Sequence, residues 1–215
     1  MRVISIWRVL FSGFLDRFLA CCEAYNIPVL ILFNKIDLLN FEEVELVEEL
    51  QAMYENLGYQ TLQVSSAEKL NLDKLQEILK DKTCVFFGHS GAGKSTLANA
   101  LQPDLNLKTN EISETHNKGK HTTTFAQMHF WHFGGAVIDT PGVREFAMID
   151  VEKEEIQHYF PEIFEKGREC KFHNCKHINE PKCAVLEALE TGEILESRYI
   201  TYLKLMEEAE EQNQM

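Results

Sequence analysis

Pro28-Val29-Leu30-Ile31-Leu32-Phe33 runs directly into Asn34-Lys35-Ile36-Asp37, and Thr83-Cys84-Val85-Phe86-Phe87 runs directly into Gly88-His89-Ser90-Gly91-Ala92-Gly93-Lys94-Ser95. Each pair couples a short apolar stretch to a polar loop. Continuous apolar runs of this length suit parallel strands buried on both faces. Open α/β sheets bind ligands beyond the carboxyl ends of such strands. The second loop is a complete G-x-x-x-x-G-K-[ST] phosphate loop and the first is an N-K-x-D motif.

Their neighbourhood repeats the strand–helix alternation. Phe14 to Tyr25 and Glu42 to Leu57 have helical periodicity, the latter stopped by Gly58. Tyr59 to Val64 is a predicted strand that leads into Ser65-Ser66-Ala67. Asn71 is placed to cap a helix ending at Leu79, and Lys94 to Leu101 opens another. Phe125 to Phe133 and Ala136 to Ile138 predict two strands joined by Gly134-Gly135, after a polar stretch over 103–122. This alternation predicts an α/β domain with a largely parallel sheet covered by helices. Near Val151 it gives way to helices interrupted by a Cys/His cluster. We therefore expect one domain over 1–150 and a second over 151–215, and find no internal repeat.

The chain has 215 residues, 45% of them hydrophobic, which is enough for a core and one domain plus an appendage. Its formal net charge is −13, which speaks against a general nucleic-acid binder. The stretch 166–182 runs the other way, with Lys166, Arg168, Lys171, Lys176 and Lys182 against Glu169 and Glu180. Lys108, Lys118 and Lys120 add charge in the polar stretch. A local basic patch can contact phosphates on an otherwise acidic molecule, or can simply be a solvated face. No apolar run reaches the length of a transmembrane helix. Arg2, Arg8, Asp16 and Arg17 interrupt the apolar start, so a signal peptide is not expected, and the expectation is a cytoplasmic protein without membrane contact.

The phosphate loop carries the first piece of chemistry. Backbone N–H groups from Ser90 to Ser95 can wrap a β-phosphate, and the following helix points its N-terminus at the anion. Lys94 is placed to reach the β- and γ-phosphates, Ser95 to hold Mg²⁺, and Thr96 to extend the cradle. The loop alone does not separate ATP from GTP. Asp37 does: a carboxylate accepts two hydrogen bonds from the guanine N1–H and N2–H₂ edge, a donor pair that adenine lacks. Asn34 can order neighbouring loops, the Lys35 stem can lie along the ring, and Ser65-Ser66-Ala67 can offer a backbone N–H to the guanine O6. Taken singly, these are also an ordinary helix cap and an ordinary turn.

Asp139-Thr140-Pro141-Gly142 completes the nucleotide site. Asp139 would hold Mg²⁺ through water and the Gly142 amide would sense the γ-phosphate. One hydroxyl of Thr122-Thr123-Thr124, Thr123 by preference, would finish the Mg²⁺ shell. Many such enzymes place a water-orienting glutamine after that glycine; Val143 stands here and cannot polarise water. His121 is the local candidate for that role, its alternative being a partner contact or an exposed loop position.

Cys170-x₄-Cys175-x-His177-x₅-Cys183 offers three thiolates and an imidazole for one tetrahedral Zn²⁺. His173 is an alternative fourth ligand, and a redox cluster or unrelated buried cysteines are alternative readings. Four ligands leave no open position, so the metal would be structural. Cys21, Cys22 and Cys84 lie in apolar elements and read as small buried hydrophobes.

In most GTP-binding domains the phosphate loop precedes N-K-x-D; here that order is inverted. The sequence N-K-I-D, S-S-A, G-x-S-G-x-G-K-S, G-K-H-T-T-T, D-T-P-G-V-R-E-F and the Cys/Cys/His/Cys cluster, in that order, resembles the ribosome small subunit-dependent GTPase A family. The resemblance covers the chain from about Phe14 to its C-terminal helices. It implies a circularly permuted P-loop GTPase domain with a small helical zinc-binding C-terminal domain. It also implies GTP and GDP with Mg²⁺ as ligands and one zinc per chain. Hydrolysis stimulated by the small ribosomal subunit, contact with its rRNA and a role in late maturation of that subunit follow from the same resemblance, with the chain expected as a monomer. The family normally carries an OB-fold domain ahead of the GTPase domain; the residues before the first predicted helix are too few for one. A nucleotide-dependent RNA-binding module that barely hydrolyses, favoured by Val143, is the second expectation. An ATP-dependent enzyme is the third, and Asp37 argues against it.

Overall fold

The computed structural model describes residues 2–7, 12–107, 126–139 and 152–212. It divides into two compact units: residues 1–9 with 28–144, and residues 10–27 with 145–215.

The first unit is built on a sheet of six strands among the described residues: β1 (Arg2–Trp7), β2 (Val29–Asn34), β3 (Gln60–Val64), β4 (Lys82–Phe87), β5 (Gln127–Phe130) and β6 (Gly135–Asp139). Their order is β3-β2-β1-β4-β6-β5. All neighbours are parallel except β5 and β6, which form an antiparallel hairpin. Every residue of β2 is buried, as its unbroken apolar run requires. The expected α/β class is therefore present, with one strand more than the sequence pattern indicated. β1 lies in the middle of the sheet, pairing Val3 with both Val29 and Val85. Its short apolar core between Arg2 and Arg8 gives no period to read, and only the non-local pairing identifies it as a strand.

Among the described residues three α-helices belong to this unit: α2 (Phe41–Asn56), α3 (Leu72–Leu79) and α4 (Lys94–Leu101). Asn40 caps α2 in a reciprocal box, its side chain accepting from the Glu43 N–H while the Glu43 carboxylate accepts from the Asn40 N–H, both at 2.9 Å. Asn71 does stand before α3, but it makes no side-chain cap. Its backbone is left-handed, φ 56°, and its amide donates instead to the Gln63 carbonyl at 2.9 Å. Leu30, Leu32, Val64, Leu75, Leu79, Leu97 and Leu101 make a continuous buried core from β2, β3, α3 and α4. Each such buried side chain contributes roughly 1.5–3 kcal/mol relative to exposure.

The second unit is helical. It contains α1 (Ser12–Ala24), a 3₁₀ segment over Lys153–Tyr159, α5 (Pro161–Gly167), α6 (Ala184–Glu190) and α7 (Glu196–Gln212). The sequence pattern placed the helix at 14–25 before the boundary near Val151. In the structure α1 packs with α7 and the 3₁₀ segment, because Ala20 and Cys21 join the cluster of Ile156, Phe160, Ile163, Tyr202 and Leu205. Arg17 forks onto Glu208 with two 2.6 Å hydrogen bonds, and Ser197 donates to Asp16 at 2.8 Å. Cys21, Cys22 and Cys84 are buried, and burial pushes their thiols up to about 11, 12 and 11, as expected of inert small hydrophobes. No described helix is long and apolar enough to cross a membrane.

Candidate nucleotide site and metal centre

Asn34 ends β2, Ser65 follows β3, Gly88 follows β4 and Asp139 ends β6. Because β2, β3, β4 and β6 run in one direction, the sheet brings four motif positions that are distant in sequence to one edge. The strand order puts the N-K-x-D and Ser65-Ser66-Ala67 motifs on the β3/β2 side and the phosphate loop with Asp139 on the β4/β6 side.

The two signature loops are tied together. Asn34 is 2% exposed and its side-chain amide donates to the Ala92 carbonyl at 3.0 Å. Lys35 Nζ donates to the neighbouring Gly91 carbonyl at 2.8 Å. Lys35 itself is held at φ 64°, a left-handed conformation uncommon outside glycine, and it starts the 3₁₀ turn that carries Asp37. Gly93 is demanded twice over: its φ is 95°, and a Cβ there would lie 2.5 Å from Asn34 Nδ2. Lys94 Nζ lies over the loop, donating to the Gly88 carbonyl at 2.6 Å and the His89 carbonyl at 2.8 Å. Its ammonium is thus poised beside the concavity that N–H groups of 90–95 would offer an anion.

Asp37 is oriented by Ser65, whose hydroxyl donates to Asp37 Oδ1 and accepts from the Glu68 N–H at 3.0 Å. Ser66 Oγ reaches Asn34 Oδ1 at 3.5 Å. The sequence pattern assigned Ser65-Ser66-Ala67 a backbone contact to the base; the hydroxyl role of Ser65 was not legible in it. A serine facing an acid across 28 positions carries no local signal. Asn34, Lys35, Asp37, Ser65, Ser66 and the loop Gly88 to Ser95 are brought together. Thr96 continues α4 and is exposed. His121, Thr123 and Gly142 lie outside the described residues, as do Thr140 and Val143, and of Asp139 only the backbone position is described.

In the second unit, ligand atoms of Cys170, Cys175, His177 and Cys183 all lie within 4.8 Å of one another. Cys170 Sγ is 3.8 Å from Cys183 Sγ, while His177 Nδ1 is 3.6 Å from Cys170 Sγ and 3.4 Å from Cys183 Sγ. A regular tetrahedron with the usual zinc bond lengths has S···S edges of about 3.8 Å and N···S edges of about 3.6 Å. The donor set therefore fits one Zn²⁺ with Nδ1 as the nitrogen ligand. His173 is exposed and outside this group, which leaves His177 as the fourth donor. Burial pushes the Cys175 thiol up to about 12, raises that of Cys183, and lowers the His177 imidazole from its ordinary value. The imidazole is thus ready to ligate, and the thiols give up protons when a metal enters.

The loop bearing His177 is held on all sides. Tyr199 donates its hydroxyl to the His177 carbonyl at 2.6 Å, and Tyr202 to the Lys176 carbonyl at 3.1 Å. The Glu180 carboxylate accepts from the N–H groups of Lys176, Ile178 and Asn179 at 2.7, 2.8 and 3.0 Å. Burial alone would raise its pKa, but these donors hold it below the ordinary value.

Comparison with known proteins gives a consistent result. The RsgA GTPase family model matches residues 3–149. A Christiangramia forsetii protein described as "Small ribosomal subunit biogenesis GTPase RsgA" is 49% identical over 200 residues, covering 93% of this chain and 64% of that protein. A Flavobacterium psychrophilum protein with the same description is 50% identical over 198 residues, covering 91% of this chain and 60% of its own length. The chain thus spans less than two thirds of these relatives. Among solved structures, YjeQ from Thermotoga maritima superposes with a TM-score of 0.81 at 37% identity, covering 97% of this chain and 70% of that one. YloQ, described as a circularly permuted GTPase, gives 0.77 at 33% identity, covering 98% and 68%.

Proposed function

The chain belongs to the RsgA GTPase family, and from that premise we propose that it hydrolyses GTP to GDP and phosphate as an assembly factor in late maturation of the small ribosomal subunit. The observation that carries this is the buried bond from Asn34 to the Ala92 carbonyl, which joins a guanine-reading loop to a phosphate loop. Both loops stand at the carboxyl ends of parallel strands, where open α/β sheets bind ligands.

In this mechanism Asp37 selects guanine and the phosphate loop holds the β-phosphate. Lys94 neutralises charge as the γ-phosphoryl leaves. Ser95, Thr123 and Asp139 would hold Mg²⁺, which would supply positive charge to the phosphates. Gly142 senses the γ-phosphate, and His121 orients water where Val143 cannot. Within the expected 1–150 region, the unit of residues 1–9 and 28–144 performs this chemistry. The 151–215 region, with zinc on Cys170, Cys175, His177 and Cys183, contacts rRNA through the basic stretch 166–182. The protein acts as a cytoplasmic monomer, and the small subunit stimulates turnover. Val143 favours one variant of this proposal, in which hydrolysis is very slow until the subunit binds.

Phosphate release from GTP, with and without purified small subunits, tests the proposal. Turnover that rises on adding subunits is expected. A folded, GTP-binding protein with the same rate in both conditions would contradict stimulation by the subunit.

A further inference from the structure

His177 departs from the usual arrangement of a metal-binding imidazole. Such rings almost always donate their second N–H to a carboxylate, carbonyl or water, which fixes the ring's orientation. Here Nδ1 faces the sulfurs, so Nε2 carries the proton, yet among the described residues buried Nε2 has no hydrogen-bond partner. Among these residues, the orientation of the ring comes from other contacts.

Two features of the same unit can do this. His177 has a left-handed backbone, φ 57°, and its carbonyl is the one that takes the 2.6 Å bond from the buried Tyr199 hydroxyl. That bond fixes the peptide from which the imidazole projects. On the ring's far side lies Gly167, at the end of α5. A Cβ on Gly167 would sit 3.1 Å from both His177 Cε1 and Nε2, closer than side chains normally pack. The lack of a side chain at Gly167 therefore leaves the close-fitting space that the ring edge occupies.

Resting on the reading of the cluster as a zinc site, we infer that Tyr199 and Gly167 are positioning residues for the metal, the first as a backbone anchor for His177 and the second as a close-fitting space for its ring. Tyr199 acts through the His177 peptide and Gly167 through the ring plane. Neither touches the ion.

The test is metal affinity and geometry in the full chain, measured on the wild type, Tyr199→Phe and Gly167→Ala. Zinc content and competition with a chromophoric chelator give affinity. The visible absorption of the Co²⁺-substituted protein reports tetrahedral distortion, which a change in general stability does not move. We expect one zinc per chain in the wild type. We expect a loss of affinity on the order of 10–100-fold in Tyr199→Phe, and a shifted Co²⁺ spectrum in Gly167→Ala. If Tyr199→Phe does not fold, the Gly167→Ala spectrum decides. Wild-type affinity and spectrum in every variant that folds would overturn the inference. A folded wild-type protein that takes up no zinc or Co²⁺ would instead overturn the metal assignment itself.

Discussion

The side-chain amide of Asn34 donates to the backbone carbonyl of Ala92 across 58 positions of sequence, at 3.0 Å and out of solvent. The N-K-x-D motif and the phosphate loop are in this way parts of one structure, although the chain makes them in inverted order.

Breaking that contact should be felt on both sides. Asn34→Ala leaves the Ala92 carbonyl without its buried donor, at a cost of about 1–3 kcal/mol. GDP affinity should fall by about 10–100-fold, at tenfold per 1.4 kcal/mol. Gly93→Ala should be at least as severe, because the new methyl collides with Asn34 Nδ2 at a backbone φ of 95°. Equilibrium titration with a fluorescent GDP analogue, beside a urea melt, checks both; unchanged GDP affinity in either would refute the coupling.

Asp37→Asn should change base preference rather than phosphate binding. In the proposed site the carboxylate accepts from two guanine donors, whereas an amide offers one acceptor and one donor. Xanthine carries a carbonyl where guanine carries its amino group, so it becomes the better match. Losing a charged hydrogen bond costs about 1.5–3 kcal/mol, or about 10–100-fold in GTP affinity. Competition between guanine and xanthine nucleotides measures this, and equal loss for both bases would count against a direct contact.

Zinc affinity should climb with pH. In the metal-free fold, burial keeps the Cys175 thiol at about 12 and raises that of Cys183, so both are protonated at neutral pH. Each must lose its proton to ligate, and raising pH lowers that cost. His177 works against this little, because burial lowers its pKa and keeps the ring neutral. Chelator competition at pH 6 and pH 8 should show weaker binding at the lower value. Stripping the metal should loosen the second unit, seen as faster amide exchange over residues 170–183.

Arg198 is buried between its bidentate partner Glu162, at 2.7 and 3.0 Å, and the ring of Phe160, 4.7 Å from the guanidinium. Asp16 Oδ1 lies 3.9 Å from the same group. Arg198→Ala strands buried carboxylates and should cost about 3–5 kcal/mol. Denaturant unfolding followed by a probe in the second unit reads this directly, and a change below about 1 kcal/mol would show that the carboxylates find water instead.

Much of this was legible in the sequence because the motifs carry their own context. The β2 run is uniformly apolar and ends at Asn34, so both strand and site could be read. β1 could not, since a few apolar residues between arginines acquire meaning only when β2 and β4 flank them. Zinc-ligand chemistry was legible in residue types. His177 was the first choice there and His173 the alternative; excluding His173 took the left-handed turn at His177 and Tyr199, which stands 22 residues away. The placement of α1 in the second unit likewise depends on partners near the other end of the chain.

The most direct measurement is single-turnover hydrolysis of bound nucleotide, comparing GTP with ATP in the presence of Mg²⁺. Cleavage of GTP, with ATP neither bound tightly nor cleaved, is the predicted result. Equal cleavage of both nucleotides, or none of GTP in a folded protein saturated with it and supplied with small subunits, would contradict it.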